Sequence, residues 1–237
     1  MSLENKVVLI TGATGGLGRV AAKKIAALGD KLALLGRDEA SLNELKEEIG
    51  LEPERVITYV ADLTDPTAVE KASKAVKEKF GDLDVILHLV GGWVGGKSIA
   101  DLDPDDVANM LDQHLWTTLH VVRSFTPLLA ANHRGRFLVV SAPSASSPGP
   151  KGAPYAVGKA AQQALVMTLA QEMKGTGVTA NVLYVKAIDA DHSRVKDPSP
   201  KNANWATPEE IVAAMLYLCS DDAQLVSGAV LPIYGGG

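Results

Sequence analysis

Short apolar runs and amphipathic stripes alternate along the whole chain. Val7-Val8-Leu9-Ile10 is an uninterrupted run of β-formers, the pattern of a strand buried on both faces, and similar runs follow at 32–35, 56–60, 85–90, 136–141, 178–185 and 230–233. Between them the apolar positions fall at helical spacing: Val20, Ala21, Ile25 and Leu28 in a helix over 16–28, and Leu42, Leu45 and Ile49 in one over 39–49. A third helix opens at Asp65-Pro66 and runs to Phe80, a long one starts at Asp103-Pro104 and continues towards Leu129, and another runs from Pro154-Tyr155 to about Lys174. Thr207-Pro208-Glu209-Glu210 has the spacing of a capping box and opens the last helix. Alternation of this kind calls for an α/β fold, a Rossmann-type doubly wound parallel sheet of seven strands with helices on both faces.

Punctuation between the elements marks loops of two kinds. Most are short, but a Ser/Pro/Gly-rich loop occupies 143–154, and 188–206 is irregular and polar, long enough for a mobile lid. Neither repeats nor a linker divides the chain, so its 237 residues are read as one domain over 1–237 ending in Gly235-Gly236-Gly237.

Composition narrows the partners. A net charge of -5 with no run of Lys or Arg argues against nucleic acid or an anionic membrane. No apolar run is long enough for a bilayer span, no basic-then-apolar leader is present, and the single cysteine, Cys219, sits among apolar residues. These features predict a cytoplasmic protein acting on a small molecule.

The chemistry begins where the first strand runs into Thr11-Gly12-Ala13-Thr14-Gly15-Gly16-Leu17-Gly18. Glycines there let the backbone approach a pyrophosphate, and the following helix points its N–H groups at the anion. Gly36-Arg37 ends the second strand where an adenosine ribose would lie. An Arg fork suits a 2′-phosphate, so NADP(H) is favoured over NAD(H), with Asp38 next door as the argument for the latter. Tyr155 and Lys159 stand at i and i+4 on one helix face, where an ammonium lowers the phenol pKa and makes it a usable general acid.

The glycine turn, Asp62, the Tyr155/Lys159 pair, Asn181 in the sixth strand and Ser227-Gly228 occur in the order seen in the short-chain dehydrogenase/reductase superfamily, which the whole chain resembles. That resemblance implies a nicotinamide cofactor contacted by Gly12, Thr14, Gly15, Gly16, Leu17, Gly18, Arg37, Asp62, Leu63, Val90 and Gly91. It implies Tyr155 as proton donor, Lys159 as its tuner and ribose ligand, and a homo-oligomer, dimer or tetramer. Outward apolar residues Val122, Phe125, Leu165 and Leu169 would build its interface.

Departures from the family pattern are concentrated around Tyr155. Ala142 occupies the place of the Ser that usually stands thirteen residues before the Tyr. Ser144 and Ser141 are nearby, although strand alternation turns Ser141 to the other face. His88-Leu89-Val90-Gly91 replaces Asn-Asn-Ala-Gly, His114 replaces the Asn of the long helix, and Val185-Lys186 replaces Pro-Gly. Together with Gly91-Gly92-Trp93-Val94-Gly95-Gly96, Leu115-Trp116-Thr117 and Trp205, they resemble the dihydropteridine reductase branch of the superfamily.

The substrate candidates are therefore Trp93, as a stacking wall, with Ala142, Ser144 and His114. Function is read as hydride transfer to a carbonyl-like or pterin-like molecule. A weakly active NAD(P)-binding sensor or partner-binding protein is the alternative from another class. Lys97 and Arg194 are candidate anion-attracting residues near the mouth, and Asp189, Asp191 and His192 lack the supporting donors a metal site needs, so none is assigned.

Overall fold

The computed structural model describes residues 5–234, so the glycine triplet at 235–237 and the chain before Asn5 lie outside the described residues. Seven strands, β1 (Val7–Thr11), β2 (Lys31–Gly36), β3 (Val56–Val60), β4 (Val85–His88), β5 (Arg136–Ser141), β6 (Thr179–Val185) and β7 (Val230–Ile233), pair in the order β3-β2-β1-β4-β5-β6-β7. Every pairing is parallel. Helices are α1 (Gly16–Ala27), α2 (Glu39–Ile49), α3 (Pro66–Phe80), α4 (Pro104–Leu111), α5 (Thr117–Ala131), α6 (Ala153–Glu172), the single turn α7 (Ser193–Lys196) and α8 (Pro208–Cys219).

Period-two alternation divides the core between the faces. Val8 and Ile10 of β1 pack with Ala21 and Ile25 of α1, Leu45 of α2 and Met215 of α8, whereas Val7 and Leu9 pack with Val76 of α3, Phe125 of α5 and Val166 of α6. Strand order reverses between β1 and β4, so a crevice opens above their carboxyl ends.

Three expectations are revised. β4 ends at His88 instead of Val90, although the Leu89 N–H still donates to the Thr11 carbonyl at 3.2 Å. The long helix is interrupted by a π turn over Asp112–Trp116, where the Thr117 N–H donates to the Asp112 carbonyl. Phe125 and Leu169 face the core, fully and nearly fully buried, so of the expected interface residues only the half-buried Val122 and Leu165 remain outward.

Candidate active site

Above β1, Gly12 takes a φ of +68°, and a Cβ there would stand 3.0 Å from the Leu89 carbonyl oxygen. Gly18 allows α1 to close on the turn, since its Cβ would lie 2.2 Å from the Gly12 carbonyl oxygen, while nothing lies within 4 Å of a Cβ at Gly16. α2, α3, α4 and α8 are capped by the side chains of Asp38, Asp65, Asp103 and Thr207, but α1 has Gly15 at that position and no side-chain cap. Its leading N–H groups are left to an external acceptor, with the positive end of the helix dipole behind them.

Two cavities form one trough along this turn. The first, about 300 Å³, is lined by Gly12, Thr14, Arg37, Asp62, Leu63, Val90 and Gly91. The second, about 380 Å³, shares Gly12, Gly15, Val90 and Gly91 and continues past Gly16, Leu17 and Gly18 to Trp93, His114, Tyr155 and Lys159. Every expected cofactor contact thus lines the trough. At its outer end Asp38 is committed to α2, accepting the Ser41 N–H at 2.8 Å. Asp62 accepts from the Thr64 N–H and hydroxyl at 2.9 and 2.8 Å; these bonds, with the Arg37 charge adding, hold its carboxyl below the usual range.

At the inner end the i, i+4 spacing brings Lys159 beside Tyr155, its Nζ 5.9 Å from the ring centroid. The buried ammonium donates to the Val140 carbonyl at 2.7 Å and to Gln162 Oε1 at 3.1 Å, and burial lowers its pKa to about 7. Burial raises the Tyr155 pKa, so the expected lowering of the phenol by Lys159 is not what this arrangement produces. Lys159 is buried and Tyr155 is half-buried at the edge of the cavities, and protein acceptors take two of the three ammonium N–H donors.

Gln162, fully buried, was missed from sequence although it lies at i+3 from Lys159. It donates to Thr118 Oγ1 at 3.0 Å, and that hydroxyl donates to the His114 carbonyl at 2.6 Å, within the π turn. The His114 ring packs edge-on against Tyr155 at 5.6 Å, and its Nε2–H donates to the Gly92 carbonyl at 3.1 Å, leaving Nδ1 buried with no partner. His88 shares a 2.8 Å hydrogen bond with Thr11 Oγ1, and its Nε2 is likewise unpartnered. Burial and the Lys159 charge lower both His pKa values to about 3, so neither is an acid at neutral pH.

A third cavity, about 720 Å³, shares Trp93 and Tyr155 with the trough and is also lined by Ala142, Ser144, Lys151, Lys186, Asn204 and Tyr234. Trp93 is 66% exposed, an open wall and not a core aromatic. Ser144, with a buried and unpartnered hydroxyl, lines the cleft, whereas Ser141 does not. Lys97 is paired with Asp106, and Arg194 with Glu210. The carboxylate of Asp189 accepts the N–H groups of Ser193 and Arg194, and His192 pairs with Glu209. The segment 188–206 is pinned at its base by Asp189 N–H to the Ala206 carbonyl at 2.8 Å.

Residues 6–200 match the family model described as short chain dehydrogenase. The chain belongs to the short-chain dehydrogenase family. It is an NAD(P)-dependent oxidoreductase of that family. Among relatives, 2,3-dihydroxy-2,3-dihydro-p-cumate dehydrogenase of Pseudomonas putida is 26% identical over 100% of this chain and 95% of its own. A 1,6-dihydroxycyclohexa-2,4-diene-1-carboxylate dehydrogenase of Pseudomonas putida is 28% identical over 98% and 93%. The NADH complex of a 3-ketoacyl-(acyl-carrier-protein) reductase from Brucella melitensis superposes with a TM-score of 0.88, 26% identical over 99% of both chains. The uncapped start of α1, the open space at Gly16 and the continuous trough fit an extended dinucleotide.

Proposed function

We propose that the protein is an NADP(H)-dependent reductase in which Tyr155 delivers the proton to a small ring-bearing carbonyl or imine-like substrate. The observation that carries this reading is that Tyr155 lines both the dinucleotide trough and the open cleft, so one phenol faces both reactants. A bound nicotinamide dinucleotide supplies the hydride, or accepts it in the reverse direction.

Gly15, Gly16, Leu17 and Gly18 would bind the pyrophosphate through backbone N–H groups, with Gly12 and Thr14 shaping the turn. Arg37 would hold the 2′-phosphate, supported by the commitment of Asp38 to its own helix. Asp62 and Leu63 would border the adenine, and Val90 and Gly91 the inner ribose and nicotinamide, with Lys159 bonded to the ribose. Tyr155 gives its proton to the substrate oxygen or nitrogen as the neighbouring carbon gains the hydride. Ser144 would donate to the substrate in place of a Ser at 142, and His114 would fix the phenol ring edge-on.

A pterin substrate is the second reading. The exposed Trp93 face beside Ala142 suits a flat heterocycle whose ring nitrogen takes the Tyr155 proton. The relatives named for a dihydroxycyclohexadiene carboxylate and a dihydroxy-dihydro-p-cumate support the first reading, with alcohols of similar shape in the oxidative direction. Outward Val122 and Leu165 with exposed Val157 would pair α5 and α6 across a two-fold axis in a homo-oligomer. Among the described residues no helix is long and apolar enough to cross a membrane, and burial pushes the Cys219 thiol up to about 12.

The test is oxidation of NADPH and of NADH with a diketone panel and with quinonoid dihydropterin. Tyr155→Phe is expected to lower kcat by about 10²–10⁴ while cofactor Kd and Tm stay near wild type. Arg37→Ala should reduce the NADPH preference about tenfold. Unchanged turnover in the Phe variant would remove the mechanism, and cofactor binding without any oxidation would establish the sensor alternative.

A further inference from the structure

The open cleft carries a charge pattern that the proton-transfer chemistry leaves unused. Its described lining holds Lys151 and Lys186 and no Asp or Glu. Neither lysine has an ion-pair partner among the described residues, whereas Lys97 and Arg194, the cations expected near the mouth, are neutralised by Asp106 and Glu210. Both free cations share the cleft with Trp93 and Tyr234, so charge and flat apolar surface are presented together.

Their backbone settings differ from those of ordinary surface lysines. Lys186 is the residue that follows β6, so the end of a buried strand carries it into the cleft. Lys151 adopts a left-handed backbone with a φ of 62°, which a non-glycine residue holds only where the surroundings dictate it. The surroundings are identifiable: the Lys151 carbonyl accepts the Gly96 N–H at 2.7 Å, and a Cβ at Gly95 would meet both that carbonyl, at 3.0 Å, and the Trp93 ring, at 2.9 Å. The loop that carries Lys151 is therefore docked against the loop that carries Trp93.

We propose that Lys151 and Lys186 form a carboxylate-binding subsite, so that the substrate is a ring-bearing acid whose ring lies on Trp93 and whose reactive group reaches Tyr155. This substrate class rests on the reading of Tyr155 as the proton donor. Both lysines are exposed, so their attraction for an anion is screened by salt, and it acts together with stacking of the ring on the flat apolar wall. A neutral ring of the same shape gains the stacking and loses the charge interaction.

The experiment measures benzoate and benzamide binding to the cofactor-saturated protein by calorimetry, in wild type, Lys151→Gln, Lys186→Gln and the double variant. Benzoate is expected to bind at least about tenfold more tightly than benzamide in wild type. That ratio should fall with added salt and approach one in the double variant. Equal affinities in wild type, or a ratio that survives both substitutions, would overturn the proposal. So would a loss that falls on NADPH affinity and not on benzoate, since Lys186 would then be serving the cofactor phosphates. Because binding is the readout, failure of the oxidoreductase reading would show separately, as no NADPH or NADH oxidation with any carbonyl compound.

Discussion

The two ends of the parallel sheet bury polar groups in different ways. At the amino end the groups are charged and cross-linked: the Lys6 ammonium bonds the Cys219 carbonyl at 3.2 Å and Asp221 at 2.9 Å, and Asp84 accepts the Val7 N–H at 2.8 Å and the Asn132 amide at 2.7 Å. At the carboxyl end His88, His114 and Ser144 are neutral, each keeps an unpartnered atom, and cavities lie alongside His114 and Ser144. Asp30 Oδ2, Arg136 Nε and Thr179 Oγ1 at the amino end are unpartnered as well, so what separates the ends is charge and setting: ion pairs hold loops to strands at one, and vacant atoms beside a cavity are available to ligands at the other.

The largest effect that separates the ends is expected at Asp84. Asp84→Ala leaves the Val7 N–H without its acceptor, leaves the Asn132 amide only its bond to the Leu83 carbonyl and removes the partner of Arg134, at a cost of about 2–4 kcal/mol. For a chain of this size that lowers Tm by roughly 5–15 °C. Cofactor Kd and kcat should hold at temperatures where the variant is folded. A variant that melts like wild type would show that this network adds nothing to stability.

A smaller effect probes the carboxyl end. A Cβ at Gly91 would meet only the His114 ring, 2.6 Å from Cε1, so Gly91→Ala must push the imidazole off Tyr155. The expected cost is about 1–3 kcal/mol, with a loss of cofactor affinity. Replacing His114 by the smaller Asn should restore much of it, giving a favourable coupling of about 1 kcal/mol in a double-mutant cycle of melting and binding. Strict additivity would show that the two residues do not touch.

The same contrast separates what was legible in the sequence from what was not. α3 was predicted to the residue because Asp65 with Pro66 marks a helix start through local chemistry, and the apolar stripe of α2 and the apolar runs of β3 and β5 matched their elements to the residue. The glycine turn was legible in part for the same reason, since Gly18 answers to the backbone of Gly12 and Ala13 a few residues away, whereas Gly12 answers to the Leu89 carbonyl, far along the chain. The π turn at Asp112–Trp116 was not: its His114 lies against Gly91 and Gly158, which are distant in sequence. The expected lowering of the Tyr155 pKa rested on i, i+4 spacing, which fixes proximity to Lys159 and says nothing of the burial that raises it. Phe125 and Leu169 were misplaced because a helix in a doubly wound fold has one buried face, and apolar spacing alone does not say which residues of a wide stripe occupy it.

The smallest effect concerns pH and again distinguishes the ends. His88, held neutral with its pKa lowered to about 3 by burial and by Lys159, keeps a value near 6.5 when unfolded. Between those values the unfolded chain binds the extra proton, so stability is complete above pH 6.5 and falls as pH drops towards 3. Asp30 at the amino end works in the opposite sense. Burial raises its pKa from 3.8 to about 6, so it favours the fold at low pH and loses that advantage as pH rises through this window. The net profile therefore mixes these slopes with that of His114, whose pKa is lowered to about 3 in the same sense as that of His88, and a single melt against pH would not separate them. Subtracting the profile of His88→Asn from that of wild type cancels Asp30 and leaves a difference that grows by at most ~1.4 kcal/mol per pH unit as pH falls below 6.5. A flat difference between pH 6.5 and 4 would mean that His88 finds a proton-accepting partner on protonation. The buried Nε2, unpartnered in the neutral form, would then be matched by a group that the neutral form does not use.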